Sequence, residues 1–162
     1  MSIYLFSRPV QSGKTTELAA WARCQNNVAG ILMPDQLGKR WMLDLNANLS
    51  FEATCNDAKI PEDELYSIGK FKFYKSAFDT ANQILFAAFA QNPAWLIVDE
   101  VGKLELHGKG FYSSLIKMIA YYDTANTEKN LLLVVRDGLQ ESVPLFFGIK
   151  NYLVIHQLPI TG

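Results

Sequence analysis

Two short stretches carry the residue types that phosphate chemistry needs. The first is Gly13-Lys14-Thr15-Thr16, which follows an apolar run, Ile3 to Phe6, and a loop opened by Ser7-Arg8-Pro9. GxxxxGK[ST] between a strand and a helix marks a loop whose backbone N–H groups cradle nucleotide phosphates. In that reading the amides from Gln11 and Ser12 to Thr15 point at the phosphate oxygens, and Gly13 lets the backbone approach them. Lys14 reaches the β- and γ-phosphates as a compact charge, Thr15 offers its hydroxyl to Mg²⁺, and Thr16 is a weaker candidate for the α-phosphate. Counting back, the first glycine of the pattern falls at position 8, which is Arg8, and Gln11 stands where a second glycine is usual. If position 8 requires a positive φ, Arg8 costs on the order of 1 kcal/mol. Its guanidinium could instead contact phosphate or cap the loop.

The second stretch is Trp95-Leu96-Ile97-Val98-Asp99-Glu100, an apolar strand that ends in two carboxylates. Asp99 is placed to hold Mg²⁺ beside the phosphate loop. Glu100, next in line, is placed to orient or deprotonate an attacking water. The bland alternative is a strand that ends in two surface acids.

These residues need a scaffold, and the apolar pattern supplies one. Continuous apolar runs at 3–6, 28–33, 95–98, 131–135 and 152–155 read as buried strands. Helical spacing marks Lys14 to Asn26, Ser76 to Gln91, Lys109 to Tyr122 and a short helix from Val143 to Phe147. Strands without alternation, separated by helices, predict an α/β fold: a mostly parallel sheet flanked by helices on both faces. Residues 39–45 and 49–55 suggest an antiparallel edge hairpin. The roughly 80 residues between the two motifs could place a further strand between the motif strands, as in RecA/ASCE-type P-loop NTPases. The acidic stretch Asn56 to Glu64 reads as a solvated loop. No linker or repeat divides the 162 residues, so one domain is expected.

Composition narrows the partners. Fifteen basic residues against sixteen acidic ones give a formal net charge of −1, without the basic excess of nucleic-acid binders. The lone cysteines Cys24 and Cys55 complete no zinc pattern. No apolar stretch approaches the ~20 residues that span a bilayer, and the expectation is a cytoplasmic protein. His107 and His156 look incidental, with His107 the nearer of the two to the site. Trp41, Phe71, Phe73 and Tyr74 could stack on a base, although core packing is the simpler reading.

The run Asp99-Glu100-Val101-Gly102-Lys103-Leu104-Glu105-Leu106 closely resembles the DEIGKMEL signature of the cancer-related, THEP-type nucleoside-triphosphatase family. The loop from Arg8 to Thr16 resembles that family's phosphate loop in length, in its proline and in GKTT. The resemblance implies a small P-loop protein that hydrolyses nucleoside triphosphates, ATP or GTP among them, with Mg²⁺. It makes Lys14 and Thr15 phosphate and metal residues, Asp99 a metal residue and Glu100 the base. Lys103 and Glu105 fall inside the signature, with a loop-building role as the alternative to a chemical one. Arg136, after the strand that follows the acidic one, is a candidate γ-phosphate sensor or else an arginine paired with Asp137 or Glu141. Two other functions stay open: a nucleotide-binding switch with little turnover, and a small-molecule or nucleoside kinase.

Overall fold

Burial on two faces is what the apolar runs require, and the sheet is arranged accordingly. The computed structural model describes residues 2–9 and 13–159. In chain order the first elements are β1 (Ile3–Phe6), α1 (Lys14–Arg23), β2 (Val28–Leu32), β3 (Asp35–Gln36), β4 (Lys39–Asp44) and β5 (Leu49–Glu52). A small hairpin follows, β6 (Leu65–Ile68) and β7 (Phe71–Tyr74), and then α2 (Lys75–Ala90) and β8 (Trp95–Val101). The chain closes with α3 (Tyr112–Thr124), β9 (Asn130–Val135), α4 (Ser142–Phe147) and β10 (Leu153–Ile155). The strand order is β10-β1-β9-β8-β2-β4-β3, with β5 on the other side of β4. The five strands from β10 to β2 are parallel. The hairpin strands β4 and β5 add on antiparallel.

Successive residues of the central strands face opposite layers. Leu5, Leu96, Val98, Leu131 and Leu133 pack with Phe78, Leu85, Leu115 and Met118 of α2 and α3. Phe6, Leu32, Ile97, Leu132 and Val134 pack with Leu18 and Ala22 of α1. Among the described residues no helix is long and apolar enough to cross a membrane.

The expected α/β sheet, its two helical layers and the edge hairpin are all present, with three differences. The strand between the motif-bearing β1 and β8 is β9, which follows the acidic strand in sequence rather than lying between the two motifs. Helix α1 stops at Arg23, and Asn27 turns the chain with φ +58°. The β6–β7 hairpin escapes the apolar-run criterion because it alternates, turning at Gly69-Lys70. Thr54 bridges it to the chain after β5 by pairing with Phe73. Phe71, Phe73 and Tyr74 pack against the core, so the packing reading holds for them.

One close approach fixes the spacing of β2 against β8. Gly30 has φ +137°, and a Cβ there would lie 2.0 Å from the Ile97 carbonyl oxygen. Gly30→Ala is expected to destabilise the protein by about 2–3 kcal/mol through overpacking. In urea denaturation the midpoint should fall with an unchanged slope; a midpoint equal to wild type would refute the close contact.

Candidate active site

The parallel strands end along one sheet edge, where α/β folds place their ligands. Gly13 caps α1 in a left-handed conformation, φ +77°, so the chain can turn from the loop into the helix. Gln11 and Ser12 lie outside the described residues. Lys14 folds back over its own loop: Nζ donates to the carbonyls of Arg8 (2.8 Å) and Pro9 (3.5 Å). Arg8 shows no positive φ, so the expected strain is absent. Its guanidinium pairs with Glu17 and lies over the Phe6 ring, 5.1 Å from the centroid. Thr16 is exposed on the first turn of α1.

Thr15 and Asp99, 84 positions apart, meet directly: the threonine hydroxyl donates to Asp99 Oδ2 at 2.8 Å. Asp99 is wholly buried. The same oxygen accepts the Met33 amide (3.0 Å), and Oδ1 accepts the Glu100 amide (2.9 Å). Burial, and then repulsion from Glu100, push the Asp99 carboxyl up to about 6 against the opposing hydrogen bonds.

Glu100 occupies a backbone irregularity. Val98 pairs with Leu133 and Val101 with Val135, so β8 spends one residue more than β9 at this point. Such a bulge re-aims side chains, and Glu100 takes φ +61° within it. A non-glycine residue in that region costs about 1 kcal/mol or more, a strain that recurs at functional sites. The Glu100 side chain is partly exposed, and its Oε1 accepts a hydrogen bond from Arg40 Nη1 at 3.2 Å.

Glu105 is placed differently from its neighbours in the signature. It is 2% exposed, and its carboxylate accepts the amides of Gly102 (2.8 Å) and Phe111 (3.0 Å). It therefore clamps the loop that joins β8 to α3. Behind it, Asn82 of α2 donates to the Gly110 carbonyl and accepts from Ser114 of α3. The Lys103 side chain is exposed. Arg136 stands exposed at the end of β9, and among the described residues it forms no ion pair with Asp137 or Glu141. Of the two histidines, His156 Nδ1 lies 2.6 Å from the Ser7 carbonyl, at the start of the phosphate loop. His107 turns instead to the Lys103 carbonyl.

The structure thus brings Thr15, Asp99 and Glu100 together, beside a Lys14 that bridges its own loop. Sequence reasoning missed Arg40 and the Met33 peptide. Their signal is a strand register, β4 running antiparallel to the end of β2, which apolar periodicity does not contain.

The architecture is that of P-loop NTPases with one strand inserted between the phosphate-loop strand and the acidic strand. Among solved structures the chain is similar to THEP1 from the hyperthermophile Aquifex aeolicus, with a TM-score of 0.71 at 16% identity, over 98% of this chain and 91% of that one. At that identity the likeness is one of fold. No family model and no curated protein sequence matches the chain.

Burial of the two acids has a consequence for pH. Glu105 is pushed up to about 7 by burial, and Asp99 to about 6. Both folded values exceed the unfolded ones, so between about pH 4 and 7 the folded state holds more protons than the unfolded state. Stability of the metal-free protein then falls as pH rises through that window. Chemical denaturation at pH 5 and pH 7.5 should show the drop, and Glu105→Gln should shrink it while lowering stability at pH 5. A rise in stability across the window would contradict the burial argument.

Proposed function

We propose that the protein is a Mg²⁺-dependent nucleoside triphosphatase that converts a nucleoside triphosphate, such as ATP or GTP, to the diphosphate and phosphate. The observation that carries this reading is the 2.8 Å hydrogen bond from Thr15 to Asp99, which joins the two motifs at one point with Glu100 beside it. The family resemblance of Asp99 to Leu106 and the fold shared with THEP1 support it further.

The donor set suits Mg²⁺. A threonine hydroxyl and a carboxylate oxygen are hard ligands, and Mg²⁺ is usually held by one or two protein oxygens together with water and substrate phosphates. Thr15 and Asp99 would hold the ion, which when bound neutralises charge on the β- and γ-phosphate oxygens. The loop amides from Gln11 to Thr15 and the N-terminus of α1 would hold the phosphates. Lys14 would exchange its contacts with the Arg8 and Pro9 carbonyls for phosphate oxygens, with Arg8 and Thr16 at the margin and Arg136 close to the γ-phosphate. Glu100 would accept a proton from water as the water oxygen bonds to the γ-phosphorus. The bond from that phosphorus to the β–γ bridging oxygen breaks, and the diphosphate leaves with its electron pair. Catalysis of this kind is mostly positioning and electrostatics.

The test is phosphate release from ATP, GTP, CTP and UTP, with and without Mg²⁺. Lys14→Ala should abolish both binding and release. Glu100→Gln should keep nucleotide affinity within about threefold and lower release by about 10²–10⁴-fold, the usual contribution of a general base. Wild-type turnover in the Glu100→Gln variant would remove the base from Glu100. Saturable binding without release in the wild type would replace the hydrolase reading with that of a nucleotide-binding switch.

A further inference from the structure

Resting on the hydrolase reading, we propose that Arg40 is a positioning residue for the chemical step, holding one oxygen of the Glu100 carboxylate so that the other faces the attacking water.

Arg40 is itself firmly held. Its amide donates to Thr54 Oγ1 at 3.2 Å, and its carbonyl accepts the amides of Ala53 (2.9 Å) and Thr54 (3.3 Å). From that anchored backbone the side chain reaches across the end of β2. Nη1 donates to the Met33 carbonyl (3.3 Å) and to Glu100 Oε1 (3.2 Å). Nε lies 3.8 Å from Asp35 Oδ2, and the guanidinium sits 5.8 Å from the Phe71 ring centroid. A planar fork with partners in several directions is fixed in orientation as well as in place, which an ammonium would not be.

Glu100, by contrast, has a long side chain, and fixing such a side chain costs up to about 1.5–2 kcal/mol of rotamer freedom. Arg40 is the described residue that engages it, and only at Oε1. Among the described residues Oε2 accepts no hydrogen bond, so it is the oxygen left for water. The Met33 peptide then ties the two acids together. Its amide holds Asp99 and its carbonyl holds Arg40, so both carboxylates are referenced to the backbone of one residue. Arg40 arrives there through β4 and β5 and the Phe71 ring of β7, which gives both hairpins a part in the site.

A residue that acts through the base should change turnover and leave substrate capture alone. Arg40→Ala is expected to lower kcat by about 10- to 100-fold, the usual cost of a slightly misplaced group, with KM within about threefold. Arg40→Lys keeps the charge and much of the stem but loses the planar fork that fixes its orientation, and it should recover part of the loss. In single-turnover measurements on a Glu100→Gln background, Arg40→Ala should cost less than about twofold more, because the group it positions is gone. Additive losses would overturn the inference by making Arg40 a direct phosphate contact, and so would a loss confined to KM. Should Arg40→Ala not fold, the kcat-against-KM split of Arg40→Lys decides. Unchanged kcat in these variants beside an active wild type sinks this inference alone. A wild type that releases no phosphate from any of the four nucleotides sinks the hydrolase reading and this inference with it.

Discussion

The buried carboxylate of Asp99 is the constraint around which the site is organised. A carboxylate moved out of water without compensation costs several kcal/mol, so the chain must bring donors to it. Three arrive from three directions: the Thr15 hydroxyl from α1, the Met33 amide from the end of β2, and the Glu100 amide from the bulge in β8. Charge-assisted bonds of this kind are each worth roughly 1.5–3 kcal/mol. None of these donors is a cation, and burial, then repulsion from Glu100, pushes the carboxyl up to about 6. The hydrogen bonds fix its place but leave its charge without a cationic partner, a condition that would suit the divalent ion of the proposed function.

Three acids within seven positions meet three different fates, and the backbone decides which. Asp99 lies where β8 is still flanked by β9 and β2, so it is buried. Glu100 follows at the bulge, where the positive φ turns it toward the hairpin layer and Arg40. Glu105 lies beyond the strand, where the chain reverses toward α3, and its two amide partners lie three residues before it and six after it. Its place inside the signature therefore reflects loop construction, backed by the contacts among Asn82, Ser114 and Gly110.

Much of this was legible in the sequence because buried parallel strands advertise themselves as unbroken apolar runs. Ile3 to Phe6, Trp95 to Val98 and Leu131 to Val135 needed no tertiary information to be recognised. The order of those strands did, since adjacency in a parallel sheet depends on crossovers; hence the inserted strand proved to be the one ending at Val135. The β6–β7 hairpin was hidden for a different reason. Leu65 to Tyr74 alternates around Gly69-Lys70, and its aromatic residues read one by one as core or stacking groups rather than as a strand pair. Arg8 carried an expectation of strain borrowed from the glycine that usually fills its position. With φ not positive, it uses its side chain against Glu17 and Phe6 instead.

The two halves of the site are prepared in different ways. The acidic half is built on sheet: Asp99, Glu100, Met33 and Arg40 hold one another through hydrogen bonds of 2.9 to 3.3 Å. The loop half is held by its own residues, with Lys14 on the carbonyls of Arg8 and Pro9 and Arg8 on Glu17. A triphosphate entering between them would find the carboxylates already positioned and the Lys14 ammonium engaged with neutral carbonyls. An ammonium that trades neutral carbonyls for anionic phosphate oxygens gains from the exchange, because bonds between charged partners are roughly twice as strong as neutral ones. No comparable gain is offered to Asp99, which can accept nothing from phosphate and must repel it unless a cation stands between. Under the proposed function nucleotide and Mg²⁺ would bind as a unit, with the loop supplying the attraction and the buried acid supplying the demand for the metal.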